Sequence, residues 1–408
     1  MCAVTREGRA APLLYALRYA SSMRVLFAST PGTGHAYPMM PLAVELQRAG
    51  HELLWATAED GVELVRRHGF DVGVAGMNLA ERRAFLEPRF PEILALPARS
   101  RRGHLFAGMF ARAAAPKMLA ELAPIAERFR PDVIVHEWGE QAAAPLAVSR
   151  SIPHAAIAFS GALPELAVPM VEDALEPLWA SVGLPRPTLS DIAGDVYFHP
   201  FPQSMGQALN LHQLRELRPT VVVDPNVEVP EWIASFGRDR KAIYITAGTT
   251  LIVAARAPWR EIFDAVASLD ADVLTTVGPQ FSFDELGPIP ANVRVERFVP
   301  QQFVLDRVAL VLSHAGAGTA LAAATCGVPQ LAIPTWADQW ENSDALARTG
   351  ASIMLEENER DAASIHDAMQ RLLTDASFAT SATRLAAEIA AMPAPANHVA
   401  TLEQLARA

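Results

Sequence analysis

The chain has 408 residues, of which 51% are apolar and 19% are charged. This length and composition suggest two to three domains with ample core, and they exclude a disordered chain or a coiled coil. The net charge of -11 argues against nucleic acid or an anionic membrane as the partner, because both repel an acidic protein.

Cysteine content and hydropathy bear on the compartment. The two cysteines, Cys2 and Cys326, indicate no disulfide framework, since one lies in a doubtful leader and the other in an apolar helical stretch. No apolar run reaches the roughly eighteen residues of a membrane span. We therefore expect a cytoplasmic protein that binds neither membrane nor nucleic acid.

Residues 1–22 precede the first predicted strand and form a leader. They contain Arg6 and Arg9 before a short apolar stretch, a pattern that superficially resembles a signal peptide. A strand begins directly at Met23, which indicates that Met23 is the true start. We interpret residues 1–22 as a leader or an extension outside the folded domains.

Strands and helices then alternate along the first half of the chain. The pattern predicts strands at residues 24–29, 51–57, 132–136 and 154–158, and helices at residues 39–49, 61–68, 120–130 and 141–150. This alternation is typical of a doubly wound parallel sheet.

Two long stretches break the alternation. Residues 77–117 have no clear periodicity, are rich in arginine and are expected to form part of an acceptor pocket, since long irregular insertions tend to be functional. Residues 161–210 carry an aromatic cluster, Tyr197, Phe198 and Phe201, for which a place in the core is the favoured interpretation.

A second series of strands and helices follows a stretch without periodicity. We place a domain boundary within residues 211–229, which are punctuated by proline and valine. Strands are predicted at residues 241–246, 272–277 and 293–298, and a helix is predicted at residues 258–268.

A strand, a glycine-bearing turn and a helix then follow one another. Residues 308–313 are typical of a strand, residues 314–319 (HAGAGT) of a turn, and residues 320–326 of a helix that Gly327 and Pro329 end. This order leaves free N–H groups at a helix N-terminus, where hydrogen bonds and the helix dipole stabilise a phosphate. His314 and Thr319 add donors, so the turn predicts a phosphate site; an ordinary βα turn is the alternative.

The next strand places polar side chains beside that turn. It covers residues 330–333, and Trp336, Asp338 and Gln339 follow its carboxyl end. Open α/β sheets bind ligands at the carboxyl ends of their strands. A carboxylate and an amide beside a phosphate suit the hydroxyls of a sugar.

These residues resemble a known signature. H-x-G-x-G-T at residues 314–319, G-V-P at 327–329 and P-x-x-x-D-Q at 334–339 are similar to the donor-binding motif of family 1 glycosyltransferases, in particular the bacterial enzymes that glycosylate antibiotics and enediynes. The resemblance implies the α/β GT-B fold, with two doubly wound Rossmann-like domains that face a central cleft. It implies an acceptor-binding domain at residues 23–215, a donor-binding domain at 216–390, and a final helix within 391–408 that packs back on the first domain.

The resemblance also implies a catalytic pair. His35 follows the first strand in G-H-x-x-P (residues 34–38), and the family's catalytic base falls on it. Histidine side chains ordinarily titrate near neutrality, which suits a general base. Glu137, after the strand at residues 132–136, matches the carboxylate that orients this base in related enzymes. Many relatives carry Asp there, so the longer Glu changes the geometry.

Two further motifs match donor-binding loops of the family. Gly248-Thr249-Thr250 resembles the loop that meets the donor's diphosphate, and residues 298–301 (FVPQ) resemble the W-V-P-Q that holds the nucleotide base. The implied donor site comprises Gly34, Gly248, Thr249, Thr250, Phe298, Val299, Gln301, His314, Gly316, Ala317, Gly318, Thr319, Trp336, Asp338 and Gln339.

One departure from the family bears on the identity of the donor. Plant members that use UDP-sugars carry a Glu eight residues after the motif histidine, where it binds the ribose hydroxyls, whereas this chain has Ala322. A site without that acceptor loses little if the ribose lacks its 2'-hydroxyl. We therefore expect a TDP-sugar donor.

Competing motifs are incomplete. Residues 32–37 and 316–321 each begin a G-x-G-x-x-G but end in Tyr37 and Leu321, which weakens a dinucleotide dehydrogenase. His136-Glu137 lacks the second histidine of H-E-x-x-H. The D-x-D at residues 270–272 precedes its strand and is interpreted as a solvated turn, so no metal and no cofactor beyond the sugar nucleotide is expected.

We interpret the chain as an inverting, metal-independent glycosyltransferase that moves a deoxysugar from a TDP-sugar to a hydroxyl of a hydrophobic natural product such as an enediyne, polyketide or macrolide. The acceptor site is assigned to aromatic side chains: Phe85, Phe90, Phe106, Phe110, Trp138 and Phe159. A nucleotide-sugar epimerase of the same fold and a catalytically silent donor-binding homologue are the alternatives. A homodimer is left open, as are the sugar and the aglycone.

Overall fold

The computed structural model describes residues 22–206, 209–221 and 228–407. The leader predicted at residues 1–22 therefore lies outside the described residues, apart from Ser22. Within the described ranges, the chain forms two parallel sheets that helices cover on both faces.

The first sheet lies in the N-terminal half of the chain. Its strands are β1 Arg24–Ala28, β2 Glu52–Thr57, β3 Asp71–Val74, β4 Val133–Glu137, β5 His154–Ile157, β6 Val196–His199 and β7 Leu214–Glu216. They pair in parallel in the order β3-β2-β1-β4-β5-β6-β7. The sequence did not predict β3 and β7, because these short edge strands are partly exposed and lack the apolar runs of the central strands.

The order of the strands decides which loops meet. β1 and β4 are direct neighbours, with Ala28 opposite His136. Both strands run in the same direction, so the segments that follow them emerge side by side at one edge of the sheet. The segment after β1, which contains His35, is thereby brought to Glu137, the last residue of β4.

Helices connect these strands. They are α1 Thr33–Ala36, α2 Met40–Arg48, α3 Glu59–Arg67, α4 Leu79–Leu86, α5 Phe90–Ala95, α6 Arg101–Leu105, α7 Ala115–Phe129, α8 Ala143–Ser149, α9 Val168–Ser181 and α10 Leu189–Ala193, with a π-helix at Phe106–Ala114. Residues 161–210 thus contain α9, α10 and β6, and the aromatic cluster at Tyr197, Phe198 and Phe201 is buried.

The expectation of an irregular stretch at residues 77–117 was wrong, because most of it is helical. Asn78 begins α4 with a capping box, in which its side chain accepts from the Glu81 backbone at 2.8 Å and Glu81 accepts from the Asn78 backbone at 2.9 Å. α4, α5 and α6 are only eight, six and five residues long, so none of them shows several turns of apolar periodicity.

The second sheet has six parallel strands. They are β8 Lys241–Thr246, β9 Ala271–Thr276, β10 Val293–Glu296, β11 Leu310–Ser313, β12 Gln330–Ala332 and β13 Ser352–Met354, in the order β10-β9-β8-β11-β12-β13. The helices are α11 Leu251–Arg256, α12 Trp259–Val266, α13 Ala317–Thr325, α14 Gln339–Arg348, α15 Ala362–Thr374, α16 Ala376–Ala391 and α17 Val399–Leu405. The two parallel sheets confirm the predicted α/β architecture.

The C-terminal helix returns to the first sheet. Leu402 of α17 is buried in the same cluster as Leu42 and Leu46 of α2. Nε2 of the buried His51 lies 3.3 Å from Oε1 of Glu403. The end of the chain therefore packs on the N-terminal half, while part of the proposed boundary, residues 222–227, lies outside the described residues.

The insertion between β3 and β4 contacts the second half of the molecule. Phe90 and Leu94 of α5 and Leu105 of α6 pack in the core that surrounds the second sheet. Arg99 forms ion pairs with Asp344 and, at 3.0 Å, with Glu356. Among the helices of the described ranges, none is long and apolar enough to cross a membrane.

Candidate active site

His35 and Glu137 form a contact at the carboxyl edge of the first sheet. Nδ1 of His35 lies 3.1 Å from Oε1 of Glu137. The His35 side chain keeps 18% exposure, whereas the Glu137 side chain is fully buried. A carboxylate on Nδ1 fixes the imidazole and leaves Nε2 for the proton of a substrate. The longer glutamate thus reaches the histidine.

The backbone holds Glu137 in place. Oε1 accepts hydrogen bonds from Thr30 N at 3.1 Å and Thr30 Oγ1 at 2.8 Å, and Oε2 accepts from Gly139 N. Burial by itself raises the pKa of Glu137, but His35 and these hydrogen bonds outweigh burial and hold that pKa below its usual range. Glu137 is therefore an anion that can stabilise a protonated His35.

Two aromatic rings flank the histidine. The ring centroid of Phe159 lies 4.4 Å and that of Phe110 5.7 Å from the His35 ring. The buried Phe106 stands behind Phe110 at 5.2 Å. Three of the six predicted acceptor residues thus form an apolar wall beside the His35–Glu137 pair.

Gly139 allows this wall to close, and the sequence analysis did not identify this role. A Cβ on Gly139 would lie 3.0 Å from both Oε2 of Glu137 and the Phe159 ring, and 3.3 Å from the Phe110 ring. Such contacts are tighter than ordinary van der Waals packing, so a side chain there would displace the wall or the carboxylate.

The other predicted acceptor residues lie elsewhere. Trp138 is 1% exposed and packs edge-on against Tyr197 at 5.1 Å, inside the apolar cluster against which Phe110 and Phe159 also pack. Phe90 packs against Trp336 of the second half at 5.6 Å. Phe85 lies under the Arg89 guanidinium, 4.0 Å from its ring.

Glu140 is a second buried carboxyl group that the sequence analysis missed. Its two oxygens accept from Ala142 N at 2.8 Å and Ala143 N at 2.9 Å. Burial raises the pKa of Glu140 to about 7, and the charge of Glu137 adds to this rise, while the hydrogen bonds and Arg82 oppose it. The only available sequence signal was its position just past a strand end.

This raised pKa predicts a pH-dependent stability. The folded pKa of Glu140 exceeds its unfolded value of 4.5. Protonated Glu140 therefore contributes stability that is fully present below pH 4.5 and is lost as the pH rises through about 7. We expect Glu140→Gln to remove about 2 to 3 kcal/mol of the decline in unfolding free energy between pH 5 and pH 8. Urea unfolding at both pH values measures it. Glu176→Gln, on an exposed carboxylate of α9, is the control, and an unchanged slope in Glu140→Gln would contradict the assignment.

On the donor side, His314 lies between two glycines. A Cβ on Gly248 would lie 2.7 Å from Cε1 of His314, and a Cβ on Gly316 would overlap Nε2. Nδ1 lies 3.5 Å from the Thr246 carbonyl oxygen. Burial lowers the pKa of His314 more than Thr246 and the charge of Asp338 raise it, so the imidazole is neutral near pH 7. Gly316 thus needs its small size for contact, not for an unusual φ.

The predicted phosphate turn has the expected geometry of a helix start. Gly316 is the N-cap of α13, no side chain caps the helix, and Gly318 in its first turn is exposed. The first N–H groups of the helix, from Ala317 onward, are open to a ligand. Thr319 is already engaged, since its Oγ1 accepts from Gln301 Nε2 at 2.9 Å.

The predicted base-binding motif lies next to the same helix. Phe298 is 52% exposed and offers its ring to a ligand, whereas Val299 is buried. Val299 and Ala322 belong to one apolar cluster. Gln301, Val299 and Ala322 therefore connect the motif at residues 298–301 to α13.

The Gly248 loop contacts the first half of the chain. Oγ1 of Thr249 lies 3.1 Å from Oγ1 of Thr33, which precedes His35 by two residues. Thr250 is the exposed N-cap of α11. Gly34 lies in the same short helix as His35, with no atom within 4 Å of its Cβ position. The Gly248 loop thus lies next to the segment that carries His35.

The two side chains predicted to bind the sugar, Asp338 and Gln339, differ in how far the protein already engages them. Oε1 of Gln339 accepts from Thr335 N at 2.7 Å, Thr335 Oγ1 at 3.1 Å and Trp336 N at 2.8 Å, so this oxygen is engaged and only the amide N–H₂ is left for a sugar. Asp338 occupies the N-cap position of α14 without a capping hydrogen bond from its side chain, and it is partly exposed. Trp336 is buried in the core against Phe90.

Asn342 connects the two donor loops and was missed. Its Nδ2 donates to the Ala315 carbonyl at 3.0 Å and to Asp338 Oδ2 at 2.8 Å. Ala315 and Ala337 both have positive φ, 59° and 54°, which is costly for a residue with a Cβ. A buried amide that holds both loops explains how this backbone is maintained. The spacing D-Q-x-x-N, with Asn one helical turn after Asp, was the available signal.

Comparison with known proteins identifies the family. Residues 260–405 match the C-terminal domain model of the erythromycin biosynthesis protein CIII-like family. The elloramycin glycosyltransferase ElmGT of Streptomyces olivaceus is 31% identical over 392 residues, which cover 93% of this chain and 97% of that protein. This chain belongs to the antibiotic glycosyltransferases.

The fold of this glycosyltransferase is similar to the folds of solved natural-product glycosyltransferases. SnogD from Streptomyces nogalater matches with a TM-score of 0.74 and 28% identity, over 95% of this chain and 100% of that chain. The spinosyn rhamnosyltransferase SpnG, complexed with thymidine diphosphate, matches with a TM-score of 0.78 and 26% identity, over 93% and 100%. These relatives are transferases, and nothing in the comparisons supports the epimerase alternative.

Proposed function

We propose that this glycosyltransferase moves a deoxysugar from a TDP-sugar to a hydroxyl of a hydrophobic natural product, with inversion at the anomeric carbon. The observation that carries the proposal is the contact of His35 with the buried Glu137, 3.1 Å apart, next to an uncapped helix N-terminus. A base and an anion site on facing edges of two sheets are what such a transfer requires.

His35 would act as the general base. Its Nε2 would take the proton from the acceptor hydroxyl as that oxygen attacks the anomeric carbon from the face opposite the diphosphate. Glu137 would stabilise the imidazolium that forms. Phe110 and Phe159, which flank His35, would hold an apolar acceptor against the base.

The departing nucleotide would be stabilised by fixed dipoles. The open N–H groups at the start of α13, the imidazole of His314 and the hydroxyl of Thr249 would bind the diphosphate without a metal. Asp338 and the amide N–H₂ of Gln339 would hold hydroxyls of the sugar. Phe298 would stack on the nucleotide base, with Gln301 as its hydrogen-bonding neighbour.

The domain assignment is part of the same proposal. Residues 23–215 would bind the acceptor, residues 216–390 the donor, and α17 would anchor the donor half to the acceptor half. The packing of Leu402 on α2 supports this role for the C-terminal helix. A cytoplasmic location and small-molecule partners fit the relatives, whose solved structures include one with thymidine diphosphate and one with a spinosyn aglycone.

The donor is tested by calorimetric titration with TDP and UDP separately, with EDTA present. We expect TDP to bind at least about tenfold more tightly than UDP. UDP carries a ribose 2'-hydroxyl that finds no acceptor at Ala322, and burying an unpaired hydroxyl costs about 1 to 3 kcal/mol. Equal affinity for both would contradict the inference drawn from Ala322. If neither nucleotide binds, the donor site at His314 and α13 is wrong.

A further inference from the structure

A recess lies beside the catalytic pair in the N-terminal half. Its walls include Thr30 and Phe110, together with Arg82 of α4, Met118 of α7 and Glu140. Its enclosed space is about 10 Å³, and the rest of the recess is open to solvent. An enclosed space of roughly 10 to 15 Å³ holds about one water molecule. The recess therefore suits a single polar atom of an acceptor whose rings lie outside it.

Arg82 is a buried cation in the wall of this recess. Arg82 is only 9% exposed, and its Nε has no hydrogen-bond partner among the described residues. Burying a charged donor without a partner is costly, so native proteins rarely do so without a use for the group. Arg82 also lines the recess, so its guanidinium lies where a ligand oxygen would enter.

The position of Arg82 connects it to the reacting groups. The guanidinium carbon lies 5.7 Å from the centroid of the Phe110 ring, and the same ring lies 5.7 Å from the His35 ring. Phe110 is thus shared by the base and the cation. A planar acceptor that packs on Phe110 would present one edge to His35 and a neighbouring substituent to Arg82.

The carboxylates around Arg82 favour the charged form of its guanidinium, which can donate hydrogen bonds to a ligand oxygen. Burial lowers the pKa of Arg82 to about 10, and the carboxylates of Glu137, Asp60 and Glu140 oppose this decrease. Arg82 is therefore charged at neutral pH. A guanidinium presents a fork of N–H donors, which form their strongest hydrogen bonds with anionic or strongly polarised oxygens.

Resting on the proposed function, we propose that Arg82 recognises the acceptor by binding a carbonyl or phenolate oxygen next to the hydroxyl that receives the sugar. Arg82 is a specificity residue in this assignment. The simpler role would be to neutralise Glu137 and Glu140. That role predicts a change in turnover for every acceptor, whereas recognition predicts an effect only for acceptors that carry the oxygen.

Two matched probes separate these roles. Hydroxyfluorenone and hydroxyfluorene, each with its hydroxyl on the ring carbon nearest the bridging position, differ only in one carbonyl oxygen. Calorimetric titration of the TDP-bound protein gives the affinity for each probe. We expect the ketone to bind about tenfold or more tightly to the native protein, the usual effect of a charge-assisted hydrogen bond.

Three variants complete the experiment. Arg82→Met should remove the preference for the ketone and leave the affinity for hydroxyfluorene unchanged, whereas Arg82→Lys should retain part of the preference because it keeps a charged donor. Arg83→Met, on the exposed neighbour that pairs with Glu87, is the matched control and should behave as the native protein. TDP affinity, measured in each variant, reports on folding.

The inference is overturned if the native protein does not prefer the ketone, or if it binds neither probe. A preference that persists in Arg82→Met overturns it as well, as does an equal loss for both probes. Failure of the proposed function is distinct from these results, because it would appear as a native protein that does not bind TDP.

Discussion

Replacing His35 by Ala is expected to reduce turnover by roughly 10² to 10⁴-fold, the usual contribution of a general base. Affinity for TDP should change by less than about twofold, because His35 touches Glu137, Phe110 and Phe159 rather than the helix start that would hold the diphosphate. Steady-state transfer with a TDP-sugar and a phenolic acceptor measures the first quantity, and calorimetry measures the second.

The control for this variant is His104→Ala. His104 is an exposed histidine of α6 whose Nδ1 lies 3.0 Å from the Ser100 carbonyl oxygen, so its loss should leave transfer unchanged. A parallel loss of TDP affinity and turnover in His35→Ala would show a structural role instead of a base. Retention of full turnover would exclude His35 from the chemistry.

Replacing Gly316 by Ala is expected to weaken TDP binding by about tenfold or more. The new Cβ would overlap Nε2 of His314, and forcing atoms into a packed site costs about 1 to 3 kcal/mol. The backbone itself is unaffected, since Gly316 has an extended conformation, with φ of -60° and ψ of 139°, that any residue adopts. The expected loss therefore reflects displacement of the imidazole from the helix start.

Gly108→Ala provides the steric control. No atom lies within 4 Å of the Cβ position at Gly108, which is in the π-helix of the N-terminal half. This variant should bind TDP as the native protein does. If Gly316→Ala also binds TDP normally, His314 does not contribute to the donor site in the way proposed.

The strands of the second sheet were predictable because each central one is a buried, continuous apolar run. The strand Lys241–Thr246 was predicted with these bounds, and the strand, turn and helix around His314 were found in the expected order. The edge strand β10 was predicted, at residues 293–298, whereas the other edge strands and the short helices of the insertion were not. β3, β7 and the helices of the insertion bury too little surface, over too few residues, to leave a periodic pattern.

The candidate site was predictable only in part. His35 and Glu137 were identified by their motif and their place at strand ends, and the structure brings them together. Glu140, Asn342 and Arg82 were missed, since an isolated Glu, Asn or Arg has no local pattern. Trp138 was placed in the acceptor site by its neighbour in sequence, yet its side chain is buried in the core against Tyr197.

The sequence by itself determined what is local: the class of fold, the strand, turn and helix around His314, and the polar groups that follow the strand ends. Only the tertiary structure decided which of these groups meet. His35 and Glu137 are far apart in sequence and touch because β1 and β4 are neighbours in the sheet. Likewise, packing between distant segments brings Phe90 into contact with Trp336 and Arg82 into contact with the Phe110 ring. Such contacts depend on the free energy of the whole core, which no short stretch of residues contains.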